Sequence, residues 1–331
     1  MQSSTIAFDA AELEHAAALV HAVVPPTPQY PWPKLARRAG CSVWVKHENH
    51  TPTGAFKVRG GLVYLDRLRA SHPEARGVIT ATRGNHGQSI AFAAARAGMA
   101  ATIYVPRGNS PDQNSAIASF GAKLVEFGRD FDEAKHEARR VAEHEGLHFV
   151  PAFHEHLVLG VATYAWELLR SGPLDAVYVG VGMGSGISGL IAVRDQLGLF
   201  TEIIAVGAAA APATALSFAA GRALTAPSAM TFADGLATRE PHPDAIATIC
   251  RGAARMVQVS EDAIAEAMRI YFDDTHQVAE GAGAAPLAAL LEERARMAGK
   301  TVAVVLSGGN IERARFQRIL GGETPSADLE R

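Results

Sequence analysis

The sequence predicts an α/β fold built on doubly wound, parallel-type sheet. Three observations lead there. Short Val- and Ile-rich runs recur from about residue 41 to 310, several apolar throughout. Amphipathic stretches separate them. The order strand, helix, strand then repeats along the chain, which implies right-handed crossovers onto a shared sheet. Continuously apolar strands suit a parallel sheet covered on both faces.

The strand runs, in order, are SVWVKHE (42–48), GVITAT (77–82), ATIYVP (101–106), KLVEFG (123–128), HFVPAF (148–153), AVYVGVG (176–182), EIIAVGA (202–208) and TVAVVLSGG (301–309). The stretch after the fourth run shows the helical pattern most clearly. Phe131, Ala134, Ala138, Val141 and Ala142 fall on one stripe, and Gly146 closes the helix. No internal repeat or low-complexity linker interrupts the series. The tail GGETPSADLER (321–331) reads as frayed.

Composition narrows the function classes. The chain has 331 residues, 48% apolar and 20% charged, with a formal net charge of −3. Opposite charges are interspersed, so no basic stripe points to nucleic acid. Two cysteines, Cys41 and Cys250, cannot form a disulfide framework, and a reducing, cytoplasmic setting is expected. The N-terminus does not read as a signal peptide, and no apolar run reaches the roughly 18 residues of a membrane span.

In open parallel sheets ligands bind where strands end and helices begin. Four such turns carry unusual chemistry. The first is PTGAFKVRG (52–60), where Lys57 follows Phe56 after a turn shaped by Pro52 and Gly54. A lysine at this edge can form a Schiff base with an aldehyde cofactor and, once free and neutral, take a proton. Alone it reads more readily as a solvated surface lysine with Arg59 beside it. The second is ATRGNHGQS (81–89). Gly84 and Gly87 allow close backbone approach, and the following helix start offers N–H groups to a carboxylate; a capped helix would explain it as well. Asn85 can donate to a phenolate oxygen, whereas His86 reads as structural. The third is VGVGMGSGISG (179–189), with glycines at 180, 182, 184, 186 and 189. Successive N–H groups of such a loop cradle a phosphate. The spacing is not that of a nucleoside-triphosphate loop, and its GxGxxG lacks a convincing ribose-binding acid downstream. The fourth is VVLSGGN (304–310), where Ser307 can hydrogen-bond a neutral ring nitrogen, or simply end a strand.

Further markers lie before and between these turns: Thr27-Pro28, KHEN (46–49), ADG (233–235) and EGAGA (280–284). The ordered set resembles the fold-type II pyridoxal 5′-phosphate (PLP) enzymes, specifically the serine/threonine dehydratase or threonine ammonia-lyase branch, over roughly residues 20 to 315. The resemblance implies two doubly wound sheets in a tryptophan synthase β-like arrangement. It implies a large PLP-binding domain from 1–76 and 153–331, a small domain from 77–152, no C-terminal regulatory domain, and a homodimer. It implies α,β-elimination from a β-hydroxy amino acid such as threonine or serine, giving a 2-oxo acid and ammonia. Lys57 would hold PLP and act as base at the substrate Cα, with Phe56 flanking the ring. Asn85 would bind the phenolate oxygen and Ser307 would face the pyridine nitrogen. Gly182, Met183, Gly184, Ser185 and Gly186 would hold the phosphate. Thr82, Arg83, Gly84 and His86 would belong to the loop gripping the substrate carboxylate.

Three features depart from the resemblance. Arg83 stands where the family usually has Ser or Ala. Arginine stays protonated, so racemisation through a second base there is not expected. A guanidinium there could instead pair with a carboxylate beyond Cβ, as in 3-hydroxyaspartate. The stretch VGAAAAPATA (206–215) lacks the acidic residues that a divalent cation would need, so no metal is expected there. Without an effector domain, inhibition by isoleucine is not expected and a catabolic role fits better. The alternatives are a dehydratase for 3-hydroxyaspartate or phenylserine, a β-replacement or threonine synthase-like enzyme, and a non-catalytic PLP binder. Partners other than a small amino acid, whether nucleic acid or membrane, are not expected.

Overall fold

The computed structural model describes residues 5–326; the last five residues of the tail read as frayed lie outside them. Ten strands form two sheets: β1 (Gln29–Pro31), β2 (Ser42–His47), β3 (Gly77–Ala81), β4 (Ala100–Val105), β5 (Lys123–Glu126), β6 (His148–Phe149), β7 (Ala176–Gly180), β8 (Glu202–Ala208), β9 (Arg255–Val259) and β10 (Thr301–Leu306). The larger sheet has the order β1-β2-β10-β7-β8-β9, and the smaller β5-β4-β3-β6. Every pairing is parallel except that of β1 with β2.

All eight runs read from sequence form strands, with their turns trimmed off. Two further strands, β1 and β9, escape that reading for a physical reason: both are edges. β1 has three residues and ends in Pro31, which can donate no ladder bond and is tolerated only at an edge. β9 begins with Arg255, whose guanidinium pairs with Glu202 and Glu293, and it is only half-buried for most of its length. β6 shrinks to two residues, with Pro151 two positions beyond its end.

The pleat sends alternate residues to opposite faces, and the burial follows. Ala303 and Val305 join a core shared with Val78 and Ile103 of the smaller sheet. Val302, Val304 and Leu306 face a second core with Tyr178, Ile204 and Tyr271. Ile79, Ala81 and Tyr104 cover a third, against Ala134, Ala138 and Ala142 of the helix Phe131–Glu145. That helix ends at Gly146 in the left-handed region, φ 65°.

The first core fills the layer between the sheets. It is built by the helices Lys57–Ser71, Asn85–Arg96, Glu155–Leu169 and Ser185–Gln196. The helix Lys57–Ser71 packs on two of the others through glycine. A Cβ at Gly160 would collide with the carbonyl of Arg59, and one at Gly61 with Ser89. The start of this helix is therefore held tightly between the sheets.

Candidate active site

Three strand ends converge on the first turn of that helix. The chain leaves β2 and turns through residues 52–56 into Lys57. This turn is stitched to the turn after β10: Ala55 bridges Gly308, the Phe56 N–H donates to the Ser307 carbonyl at 3.0 Å, and the Gly309 N–H donates to the Gly54 carbonyl at 2.9 Å. Lys57 and Ser307, 250 positions apart in the numbering, thus share one scaffold.

The Lys57 ammonium lies 5.0 Å from the centroid of the Phe56 ring. Phe56 meets Tyr164 edge-on at 6.1 Å, and the Tyr164 hydroxyl donates to the Gly186 carbonyl at 2.9 Å. The glycine loop is thereby tied to the lysine. Gly184 closes the loop at φ 95°, where a Cβ would strain the backbone and press on Ala245. No side chain caps the helix Ser185–Gln196. Among the described residues, the backbone N–H groups of Gly182 to Ile187 have no protein acceptor. A run of free N–H groups on a glycine loop and helix start is an anion cradle.

Burial pulls the Lys57 ammonium down to about 8, although the nearby Glu280 carboxylate pulls it upward. Lys57 lines a small cavity with Gly60, His86, Ala152, Leu157, Val161 and Ser185. His86 is buried, 3.2 Å from the Thr80 hydroxyl. Burial first, then the Lys57 charge, push its imidazole down to about 3. It is therefore a neutral wall of the cavity rather than a proton carrier. Thr82 organises its loop, with its hydroxyl accepting from the Gly84 N–H at 3.0 Å and the Gly87 N–H at 3.1 Å. Arg83 is half-buried in the bend between Thr82 and Gly84, and Met183 packs against the cluster of Ile6, Phe153, Val158, Ala192 and Ala245. The Ser307 hydroxyl has no protein partner among the described residues, and the residue is buried.

Residues outside the sequence-derived set complete the site. Asn85 Nδ2 donates to both Glu280 oxygens, at 2.9 and 3.0 Å. Asn310 Nδ2 donates to Asn85 Oδ1 and to the Thr53 carbonyl, each at 2.7 Å. Gln113 donates to the Asn310 carbonyl at 3.2 Å and accepts from Gln88 at 2.7 Å. Burial, together with the charge of Asp234, pushes the Glu280 carboxyl up to about 7, against the pull of Asn85 and Lys57. Glu280 and Asn310 sit inside EGAGA and SGGN, so their segments were visible in the sequence while their roles were not. Gln113 belongs to no motif that would have marked it.

A softened lysine amine, an unpaired anion cradle and a free hydroxyl, gathered at one sheet edge, make the donor set of an enzyme that holds a phosphorylated aldehyde. The chain belongs to the pyridoxal-phosphate dependent enzyme family, which matches residues 20–308. It is 38% identical to an L-threonine ammonia-lyase of Geobacter sulfurreducens, covering 84% of this chain and 69% of that one. It is 30% identical to an L-threo-3-hydroxyaspartate ammonia-lyase of a Pseudomonas species, over 89% of this chain and 93% of the relative. Among solved structures, threonine deaminase isoform 2 of Solanum lycopersicum superposes with a TM-score of 0.87 at 27% identity, covering 97% and 96% of the two chains.

Proposed function

We propose that this enzyme removes the β-hydroxyl of a small β-hydroxy amino acid, threonine or serine, and releases a 2-oxo acid and ammonia. The observation behind this reading is Lys57, its ammonium pulled down to about 8 and its first helical turn stitched to Ser307, beside the open N–H cradle of the glycine loop. Pyridoxal phosphate, when bound, supplies the electron sink that makes a Cα proton removable. Lys57 holds it covalently, then as a free amine accepts the Cα proton. The N–H groups of Gly182 to Gly186, with Met183 and Ser185, hold the phosphate. Phe56 flanks the ring and keeps water from one side. Asn85 donates to the ring oxygen. Ser307 offers the ring nitrogen a neutral hydroxyl, which does not favour full protonation there and so suits elimination over transamination. The N–H groups around Thr82, Gly84 and His86 orient the substrate carboxylate.

A second substrate class follows from Arg83. Its permanent positive charge adjoins the Gly84 loop, and a relative of nearly equal length is named for 3-hydroxyaspartate. Oxo-acid formation from serine, threonine, phenylserine and 3-hydroxyaspartate, measured with wild type and Arg83→Ala, separates the two. Preference for threonine or serine, unaltered by Arg83→Ala, supports the first reading. A preference for 3-hydroxyaspartate that Arg83→Ala abolishes supports the second. No oxo acid from any of the four sinks both.

Residues 77–152 are proposed to form a small domain beside a large one of 1–76 and 153–331, since the smaller sheet draws its strands from that segment alone. A cytoplasmic homodimer completes the proposal. The two unpaired thiols support the compartment, and sedimentation tests the dimer. Among the described residues no helix is long and apolar enough to cross a membrane.

A further inference from the structure

We propose that Glu280 is a positioning residue with two tasks: it orients the Asn85 amide, and in the protein free of PLP its carboxylate is the counter-charge that favours the protonated Lys57 amine. The proposal rests on Lys57 being the attachment point of the cofactor.

The orientation of the Asn85 amide is fixed by a group that cannot donate. The Thr53 carbonyl is an acceptor only, so the Asn310 atom 2.7 Å from it is the amide nitrogen. The same nitrogen lies 2.7 Å from Asn85, which must therefore present its oxygen there. Asn85 then turns its nitrogen to Glu280. The oxygens of one carboxylate subtend too small an angle for both amide hydrogens. One hydrogen is shared between them, and the other has no protein acceptor among the described residues. A chain from a backbone carbonyl to a carboxylate thus leaves Asn85 one donor in a fixed direction.

Packing places the carboxylate independently. The Glu280 N–H donates to the Gly308 carbonyl at 3.0 Å, and a Cβ at Gly308 would come within 2.8 Å of Glu280 Oε1. Glycine at 308 is what admits the carboxylate to the turn that carries Ser307. The charges acting on it are few. Lys57 attracts it from the helix Lys57–Ser71. Asp234 repels it from the turn Asp234–Leu236, and Asp234 itself lies 3.4 Å from Arg315. His86, the other titratable neighbour of Lys57, is held neutral. Burial pushes the Glu280 carboxyl up to about 7, so its charge changes near neutrality. Protonating it removes the pull on Lys57 and makes the amine freer.

The test uses two variants and a readout that needs no turnover. In the protein freed of PLP, the rate of reductive methylation at Lys57 is followed against pH by peptide mass spectrometry. Glu280→Gln keeps an acceptor for Asn85 but loses the charge. Its labelling midpoint is expected about one pH unit below wild type, because an opposite charge is gone. Asn310→Ser frees the Asn85 amide but keeps the charge. It should leave that midpoint in place while weakening PLP binding at least threefold and altering the absorbance of the loaded protein. An unmoved midpoint in Glu280→Gln overturns the counter-charge, and unaltered PLP binding in Asn310→Ser overturns the orienting chain. Should Glu280→Gln fail to fold, Glu280→Asp, with the charge withdrawn by one methylene, shifts the midpoint the same way by less; no shift overturns the proposal. Borohydride fixation of PLP on wild-type Lys57 is measured alongside. If nothing is fixed, the functional reading fails; fixation with an unmoved midpoint sinks the role of Glu280 alone.

Discussion

Lys57 and Arg59 stand two residues apart on one helix, and their surroundings are opposites. Arg59 is fully buried. It donates to Glu48 at 2.8 and 3.0 Å, to Glu167 at 2.5 and 3.1 Å, and to Thr163 at 3.0 Å. Lys46, also fully buried, donates to Glu167 at 2.5 Å and to the Thr27 carbonyl at 3.0 Å. Two cations face two anions, and the guanidinium is held far above any pH at which it would lose its proton, because both carboxylates outweigh the burial. Lys57 has one carboxylate nearby, and burial wins. The same helix turn thus carries a charge locked for good and a charge poised to leave. The first anchors the helix; the second supplies a reactive amine. A buried cation costs stability unless its donors are saturated, so the unsaturated one marks the chemistry.

Lys57→Ala should lower turnover by at least about a thousandfold, since positioned proton transfer alone contributes that order, while the fold persists; retained turnover would place the amine elsewhere. Arg59→Met should cost roughly 3–5 kcal/mol in urea unfolding, because it leaves Glu48 without its cation and takes from Glu167 one of its two buried cations. Unaltered stability would show the locked cluster to be dispensable. Gly184→Ala, at φ 95° and against Ala245, should cost about 1–3 kcal/mol and weaken phosphate binding; unchanged PLP affinity would remove the loop from the cradle.

A smaller effect carries a sign. The folded-state value for Lys57, about 8, lies below the ordinary lysine value of 10.5. The stability it contributes is then fully present above about 10.5 and is lost as pH falls through 8. In the PLP-free protein, Lys57→Met should melt higher than wild type at pH 7, with the gap closing between pH 8 and 10.5. A gap independent of pH would mean the amine is not strained by burial. Smallest of all, Arg140→Ala removes an exposed pair with Glu137 at 2.7 Å. It should leave the melting midpoint where it was, and a clear drop would show that surface pairs matter here as much as buried ones.

Much of this architecture was legible from the chain. The eight main strands, the alternation with helices and the positions of Lys57, Asn85, Ser307 and the glycine loop follow from periodicity and from residue types at strand ends. β1 and β9 were hidden because edge strands tolerate Pro31 and Arg255, which break the apolar signature. Arg59 looked like the ordinary surface neighbour of a lysine, and nothing local shows that it is sealed in the core. Glu280 appeared only as the first residue of the EGAGA marker, with no role attached.

Near neighbours along the chain settle strand propensity, the glycines that open a loop and the lysine set after a turn. Tertiary structure alone decided which charges are quenched and which are left to titrate. Asn85 and Glu280 are 195 positions apart, and Arg59 and Glu167 are 108 apart. Desolvation and charge pairing act through space, so residue type at one position cannot state them until the sheets have closed around it.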